Sequence, residues 1–360
     1  MGKQEAGANP ARSRHGDRVT TRKSDTAPPD NLPWDEDIPD GVSVSVRFCV
    51  AFLITTVLLA GCGSPPADSA TASAIDNCGV EVVVDQPPTR AVGYYQHATE
   101  LMLALGLQDS IVGRVYPDNP PLPRYAAAYE AIPDISDKDA SFEQLIAVDP
   151  DFIYGGYRSA FDDAQGRSRT AFADAGVTTY LNPEYCATAP ITMDDVYAEV
   201  ARIAEIFGVP ERAGALTDEM KTSVARASAA VQDVTPLRAF VYDSGDDTAF
   251  TAGGQGIGNQ ILELAGATNV FADLDDTFAD VSWEQVIARD PEVIVIYDYF
   301  GTPSVEEKKA FLTGRPELAG VTAIRDRRFA VLTLQDAVLG IRAPQAVGEL
   351  AAQLHPDSFR

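Results

Sequence analysis

The chain has 360 residues, and 45% of them are hydrophobic, which is enough for two domains of ordinary size with separate cores. Its 53 acidic residues outnumber 28 basic ones and give a net charge of −25. Because binding to a phosphate backbone depends on clustered lysine and arginine, this balance argues against a nucleic-acid partner.

The N-terminal region contains a polar segment followed by an apolar one. Residues 1–43 are rich in Pro, Asp and Arg and lack apolar periodicity, so we predict disorder there. The apolar run at 48–60 spans about 20 Å as a helix, short of the roughly 30 Å hydrocarbon core of a membrane. We therefore assign residues 1–61 to a disordered N-terminus plus a signal peptide. Since signal peptides normally start a chain, translation is expected to begin near Val42, Val44 or Val46.

A short motif closes the apolar run. Leu59-Ala60-Gly61-Cys62 resembles the lipobox of bacterial lipoproteins, and this resemblance implies that Cys62 is lipidated and becomes the first mature residue. The alternative is a buried cysteine in a short apolar helix. Residues 62–79 are mostly small and polar, and we predict that they form a flexible tether to a lipid anchor on the outer face of the cytoplasmic membrane. The anchor would be the only attachment to the membrane.

Two cysteines, Cys78 and Cys186, remain in the mature chain. Outside the cytoplasm such a pair usually forms a disulfide bond, which we predict here. Closing a loop of roughly 100 residues would contribute about 4–5 kcal/mol in the chain-entropy model. The alternative is two unconnected thiols.

Strand and helix patterns alternate through the rest of the chain. In an N-terminal lobe, residues 80–188, they predict strands at 90–95, 110–115, 150–156 and 178–181 and helices at 97–107, 141–149 and 169–177. In a C-terminal lobe, residues 210–360, they predict strands at 238–243, 292–297 and 328–334 and helices at 257–265, 282–290 and 342–354. This alternation predicts α/β lobes with largely parallel sheets.

One sixteen-residue pattern occurs twice. SFEQLIAVDPDFIYGG (141–156) and SWEQVIARDPEVIVIY (282–297) share eight identical positions. Each copy predicts a Ser-capped helix, an Asp-Pro break and a buried strand. We therefore predict that the lobes are two copies of one unit.

The segment between the lobes predicts a single long helix over 189–209. Its apolar residues recur at three- and four-residue steps, and Gly208 and Pro210 follow. Because a helix resists bending, we expect only slight movement of one lobe against the other.

Catalytic motifs are sparse. The sequence has no nucleophile elbow, Walker loop or C-x-x-C motif, and His97 and His355 are the only histidines after the signal peptide. We predict no enzyme activity, no cofactor and no metal site.

Open α/β sheets bind ligands at the carboxyl ends of their strands. The residues there are mainly aromatic, and each could instead pack in a core or lie exposed. The predicted ligand contacts are Tyr94, Tyr95, Gln96, Tyr116, Tyr157 and Arg158 in the first lobe and Phe250, Phe278 and Tyr299 in the second.

Residues 90–356 resemble the iron-siderophore and cobalamin class of substrate-binding proteins of ABC importers. The motifs that carry the resemblance include RAVGYYQHATELMLALGLQDSIVGR, FTAGGQGIGNQILELAGATNVFAD and both copies of the repeat. It implies two Rossmann-like lobes joined by a single long helix, of the class III periplasmic-binding-protein type. It also implies a monomer whose partners are a permease dimer with its ATPase and an iron chelate held in the cleft. In this family one Glu on each lobe forms a salt bridge with the permease, and the matching positions are Glu143 and Glu284; the alternative is that each Glu only caps its helix.

The resemblance also bears on the ligand. It places aromatic contacts at Tyr116, Tyr157, Phe250 and Phe278, whereas cobalamin-binding members present several Trp residues and this mature chain has only Trp283. A ferric siderophore is therefore our first prediction. Basic candidates for the pocket are few, namely Arg158, Arg167, Arg169 and Arg342, which favours a neutral hydroxamate complex over an anionic catecholate. Cobalamin, haem or an enzymatic use of the cleft are the alternatives.

Overall fold

The computed structural model describes residues 73–360. The predicted disordered segment and signal peptide (1–61), the lipidation site Cys62 and the tether up to residue 72 lie outside the described residues. Within the described part, no helix combines the length and the apolar character needed to cross a membrane.

Short strands alternate with helices along the described chain. The strands are β1 (Ser73–Asn77), β2 (Val80–Val84), β3 (Ala91–Tyr94), β4 (Ile111–Val115), β5 (Asp134–Ser136), β6 (Phe152–Gly155), β7 (Thr178–Leu181), β8 (Leu237–Tyr242), β9 (Ala249–Ala252), β10 (Ala267–Asn269), β11 (Phe278–Val281), β12 (Val293–Asp298) and β13 (Phe329–Thr333). The helices are α1 (Gln96–Ala104), α2 (Ala126–Ala131), α3 (Phe142–Ile146), α4 (Arg169–Asp174), α5 (Met193–Ile206), α6 (Pro210–Ala230), α7 (Ile257–Leu264), α8 (Trp283–Arg289), α9 (Val305–Thr313), α10 (Thr322–Arg325) and α11 (Ala343–Leu354).

Each lobe is built on a parallel sheet. The N-terminal sheet has the order β5-β4-β3-β6-β7 and the C-terminal sheet the order β10-β8-β12-β13, with every pairing parallel. A small antiparallel pair, β9 with β11, is added to the second lobe. The predicted α/β class with parallel sheets is confirmed.

The two copies of the repeat adopt the same local structure. Ser141 and Ser282 each cap a helix in a reciprocal capping box with the residue three positions on. Each helix is followed by an Asp in the left-handed region, Asp149 (φ 51°) and Asp290 (φ 41°), before the strand begins. The register across the sheets also matches, since Ala91 lies opposite Phe152 and Ala239 opposite Val293.

An arginine at the beginning of an equivalent strand of each lobe, Arg90 just before β3 and Arg238 within β8, extends the repeat into tertiary contacts. Arg90 Nε donates to the carbonyl of Asp149 at 2.6 Å, and Arg238 Nη2 donates to the carbonyl of Asp290 at 2.8 Å. The backbone amides of both arginines donate to the carboxylates of Asp151 and Glu292, which are equivalent positions of the repeat. The duplication therefore covers side-chain contacts as well as secondary structure.

Two antiparallel helices span the lobes where one was predicted. In α5, Met193 and Val196 pack in the C-terminal core, whereas Val200 and Ile203 pack in the N-terminal core. The longer helix α6, which the sequence analysis missed, returns in the opposite direction. Its Leu216 and Met220 lie in the N-terminal core and its Ala227 in the C-terminal core.

A β-hairpin, β1 with β2, lies at the start of the first lobe. The predicted tether extended to residue 79, but Ser73–Asn77 is strand β1, paired antiparallel with β2. The buried Asn77 side chain donates to the carbonyl of Leu181 and accepts from its amide, both at 2.8 Å, which fixes the hairpin on β7. The predicted disulfide bond between Cys78 and Cys186 is present. The turn needs positive φ at Cys78 and Gly79, the requirement of a two-residue type I′ hairpin.

Candidate functional site

The carboxyl edges of the two sheets face each other. The loop after β4 contacts the loop after β12, because Phe300 N donates to the carbonyl of Asp118 at 2.9 Å and Asn119 Nδ2 donates to the carbonyl of Asp298 at 3.2 Å. Since ligands of open α/β sheets bind at this edge, the cleft between the lobes is the candidate site.

Three tyrosines form an aromatic face on the N-terminal side of the cleft, where Tyr116 and Tyr157 are partly exposed and Tyr95 is only 5% exposed. The ring centroid of Tyr95 lies 5.1 Å from that of Tyr116 and 4.6 Å from that of Tyr157. Tyr157 also packs edge-on against His97 at 4.9 Å. The structure therefore brings together three of the predicted contacts of this lobe.

The backbone at this face adopts an unfavourable conformation. Tyr95 (φ 79°) and Tyr116 (φ 58°) occupy the positive-φ region, which costs a bulky residue on the order of 1–3 kcal/mol. Both follow the last residue of a strand, and each amide is held by a neighbouring strand or loop carbonyl. Strain of this kind concentrates at functional sites, which supports a binding role for both rings.

Tyr94 and Gln96 lie beneath this face. The Tyr94 hydroxyl donates to Asp139 and accepts from the amide of Ala140. The Gln96 amide oxygen accepts from the backbone amides of Asp118 and Asn119. Both side chains are fully buried, with 0% exposure, so the structure places them in support of the cleft loops.

The C-terminal face contains the other aromatic residues. The rings of Phe250 and Phe278 stack at 5.6 Å. The Tyr299 hydroxyl donates to Asp243 at 2.7 Å, and the Nζ of the buried Lys308 lies 5.0 Å from the centroid of the Tyr299 ring. Burial raises the pKa of Asp243 and lowers the pKa of Lys308, because it disfavours the charged form of each. The opposite charge of the other residue favours that charged form.

The four predicted arginines of the pocket are engaged by protein acceptors. Arg158 is exposed and donates to the carbonyl of Tyr185, and the buried Arg167 donates to the carbonyls of Ala140 and Ser159. Arg169 donates to Asn77 and Thr179. Arg342 forms a bidentate ion pair with Glu100. Arg167 and Arg342 also lie near carboxylates, those of Asp139 and Glu100, whereas Arg158 and Arg169 donate to neutral oxygens, which do not compensate their charge.

Residues 334–342, which we call the interlobe strap, connect β13 to α11 and are held by the N-terminal lobe along their length. Gln335 Nε2 donates to Asp118 at 2.7 Å, and Gln335 Oε1 lies 3.1 Å from His97 Nδ1. Ile341 packs in the hydrophobic core of the N-terminal lobe. The strap therefore binds the second lobe firmly to the first.

Both backbone polar groups of Leu339, in the strap, are held by the N-terminal lobe. Asn182 donates to the Leu339 carbonyl at 2.8 Å, and Glu184 accepts from the Leu339 amide at 2.6 Å. Glu184 also accepts from the amide of Ile257 at the start of α7. Burial raises the pKa of Glu184 to about 7 and that of Asp118 to about 7, and it lowers the pKa of His97 to about 4.

Sequence reasoning missed most of these interlobe residues. Glu100 pairs with Arg342 across 242 positions, and Glu184 reaches Leu339 across 155. The available signal was a charged residue inside an apolar helical run, Glu100 in α1. Because buried charges are normally paired, such a residue predicts a partner of opposite charge elsewhere in the chain.

Glu143 and Glu284 lie exposed in the first turns of α3 and α8. The reciprocal capping contacts are made by Gln144 and Gln285, whose side chains accept from the amides of Ser141 and Ser282. Hydrogen bonds from its own backbone amide and from the capping Ser lower the pKa of each Glu. Both are therefore ionised carboxylates on the surface.

Other features lie outside the cleft. Two surface grooves, of about 610 and 580 Å³, border the disulfide bond. Over residues 73–360, His, Cys, Asp and Glu side chains form no group of three or more that could hold a metal ion. Trp283 is buried, and its Nε1 donates to the carbonyl of Asp246, away from the aromatic faces.

Two parallel α/β lobes, spanned by helices and facing each other across an aromatic cleft, define a solute-binding protein of class III architecture. The chain belongs to the periplasmic binding protein family, because the sequence model of that family matches residues 92–335. Within it, the chain falls with the iron-siderophore and vitamin B12 group.

Similar proteins include an uncharacterized ABC transporter substrate-binding lipoprotein, YvrC, of Bacillus subtilis (strain 168), 24% identical over 326 residues that cover 86% of this chain and 97% of the relative. A vitamin B12-binding protein of Photorhabdus laumondii is 28% identical over 213 residues, 58% of this chain and 70% of the relative.

Two solved structures match the fold over 79% of this chain. A periplasmic binding protein from Veillonella parvula, of which 97% is covered, is 30% identical with a TM-score of 0.71. An ABC-type Fe3+-hydroxamate transport system protein from Saccharomonospora viridis, of which 99% is covered, is 26% identical with a TM-score of 0.70.

Proposed function

We propose that the protein captures a neutral ferric hydroxamate chelate outside the cell and delivers it to an ABC importer. The observation that carries the proposal is the composition of the cleft. Tyrosine and phenylalanine rings supply broad apolar contact, while positive charge is limited. Arg167 and Arg342 lie near carboxylates, Arg169 is held by Asn77 and Thr179, and Arg158 alone of the four is exposed. The relative named for Fe3+-hydroxamate transport supports the same ligand class.

Charge around the cleft also favours a neutral ligand. Asp118, Asp243 and Glu184 are buried carboxyls at the lobe edges, and burial raises the pKa of each. A highly anionic catecholate complex would oppose the ionisation of these carboxyls, and Arg158 is the one exposed arginine of the four candidates, which is little positive charge for such a ligand. The hydroxyls of Tyr157 and Tyr185 are buried and lack a hydrogen-bond partner among the described residues, and we propose that a ligand entering the cleft supplies one.

Cobalamin is the second candidate, because vitamin B12-binding proteins are among the similar sequences. Trp283 is buried outside the cleft and would not contact the corrin ring, which argues against cobalamin as the ligand.

For delivery, we propose that Glu143 and Glu284 contact the two like subunits of a permease. The repeated unit presents one ionised carboxylate on each lobe, which suits a two-fold partner with paired basic residues. We further propose lipid attachment through Cys62 and no enzymatic step in the cleft.

Tyrosine fluorescence titration with a ferric trihydroxamate, a ferric tris-catecholate, cobalamin and haem tests the ligand class. We expect saturable quenching by the trihydroxamate and at least tenfold weaker binding of the catecholate. Tightest binding of the catecholate or of cobalamin would refute the ferric hydroxamate assignment.

A further inference from the structure

One four-residue turn connects the disulfide bond, the lobe interface and the aromatic face. This turn, Pro183–Cys186, follows β7, and we call it the clamp turn. Each of its last three residues makes a different long-range contact. Glu184 holds the second lobe, Tyr185 supports the cleft, and Cys186 is bonded to Cys78.

Glu184 is the residue of the clamp turn that positions the lobes. Its side chain is buried, with 3% of the residue exposed, and its two carboxylate oxygens accept from Ile257 N at 2.8 Å and Leu339 N at 2.6 Å. Both amides belong to the C-terminal lobe. A shift of the turn would therefore break two charge-assisted hydrogen bonds between the lobes at once.

Tyr185 acts on the cleft itself. Its ring lies 5.3 Å from the ring of Tyr157, the centre of the N-terminal aromatic face. Its carbonyl accepts from the guanidinium of Arg158. The position of Tyr157 thus depends on the same turn that holds the second lobe.

The disulfide bond anchors the end of the clamp turn and is open to reagents. Residues 187–190, which follow it, are exposed and supply little packing. Cys78 and Cys186 line both surface grooves, so a thiol can reach the bond from outside. The hairpin that contains Cys78 is held separately by the Asn77 contacts to Leu181, so loss of the bond releases the turn rather than the fold.

We propose that the Cys78–Cys186 disulfide is a redox control on the clamp turn and, resting on the proposed function, on ligand affinity. A dithiol reductant attacks one sulfur, the protein S–S bond breaks, and a mixed disulfide forms. The second thiol of the reductant then resolves the mixed disulfide, so that two electrons and two protons pass to the protein. The freed turn loosens Glu184 and Tyr185, which weakens the lobe contact and the aromatic face together.

Hydrogen exchange of the full chain tests this without a ligand. The oxidised protein is compared with protein reduced by dithiothreitol and alkylated. We expect faster exchange at the amides of Ile257 and Leu339 and unchanged exchange at Glu292, whose amide bonds to the Arg238 carbonyl far from the turn. Oxidised Glu184→Gln should reproduce the change at Leu339 and Ile257, and a Cys78→Ser/Cys186→Ser variant should not respond to dithiothreitol.

Ligand titration of the same samples supplies the second readout. Affinity for the ferric trihydroxamate should fall on the order of tenfold after reduction. Unchanged exchange at Ile257 and Leu339 in alkylated protein, resistance of the bond to reduction, or loss of protection at Glu292 as well would each overturn the proposal. Exchange that changes as expected in a protein that binds no ferric chelate would support the clamp turn and refute the proposed function alone.

Discussion

Tyr157 is the residue on which most contacts of the aromatic face converge, because it touches Tyr95, His97 and Tyr185. Central aromatic residues of a binding site cost on the order of 2 kcal/mol when truncated, which is about thirtyfold in affinity. We expect Tyr157→Ala to weaken ferric trihydroxamate binding by about that factor in a fluorescence titration. Tyr157→Phe should lose only the hydroxyl contribution, and Phe359→Ala, at an exposed ring near the C-terminus, should bind normally. Normal binding by Tyr157→Ala would show that this ring does not contribute to ligand binding.

The buried ion pair between Glu100 and Arg342 predicts a large effect on stability. Removing one partner of a buried pair leaves an uncompensated charge and costs about 3–5 kcal/mol. Urea unfolding of Arg342→Ala should show this loss, whereas Arg202→Ala, whose pair with Glu205 is half exposed, should lose at most about 1 kcal/mol. Equal losses in the two variants would contradict the assigned role of the strap.

Asp118 predicts a pH dependence of stability. Burial raises its pKa from 3.8 to about 7, so between these values the folded state holds a proton that the unfolded state has released. Stability from this group is complete below pH 3.8 and is lost as the pH rises through about 7, by about 1.4 kcal/mol per pH unit. Between pH 5 and 7, we expect the unfolding free energy of the wild type to fall more steeply with pH than that of Asp118→Asn, by about 1.4 kcal/mol per pH unit. Comparing the two proteins cancels His97, whose lowered pKa acts in the opposite direction below about pH 6.5. Identical slopes would show that Asp118 is ionised in the folded protein.

Individual elements differ in how well their sequences predict them. The repeat was predictable because the Ser cap, the Asp-Pro break and the apolar strand are all local signals. Helix α6 was missed because its buried positions, Ala213, Leu216, Met220 and Ala227, are few and partly small, and Pro210 was interpreted only as the end of α5 although it begins α6. Strand β1 has no strand pattern of its own and depends on its pairing with β2 and on the contacts of Asn77 with Leu181.

The first turns of α3 and α8 predict a transport phenotype. Glu143→Arg combined with Glu284→Arg should abolish iron-chelate uptake by cells, because the two introduced guanidinium groups would repel the basic permease residues. Ligand affinity of the purified variant should not change. Glu211→Arg, at an exposed first-turn position of α6, is the matched control. Normal uptake by the double variant would show that the permease does not use these carboxylates.

At the scale of the whole molecule, the cleft could be predicted only in outline. Strand ends located the aromatic residues, and Tyr95, Tyr116 and Tyr157 do meet there. The interlobe strap could not be predicted, because its partners are 155 to 242 positions away and no local pattern links them. The burial of Tyr94 and Gln96 could not be predicted either, because it depends on loops that follow other strands.

Two helices and the strap span the lobes, so ligand capture should involve little movement between them. We expect the radius of gyration from small-angle scattering to stay nearly constant when the ferric trihydroxamate binds, with side-chain and loop changes confined to the cleft.

Hydrogen exchange with and without the ferric trihydroxamate shows which surfaces the ligand covers and therefore tests whether it binds between the lobes. We expect simultaneous protection of the loops that contain Tyr95, Tyr116 and Tyr157 on one lobe and Phe250, Phe278 and Tyr299 on the other. Protection of one lobe alone, or of the grooves beside the disulfide in place of the cleft, would show that the ligand does not bind between the lobes.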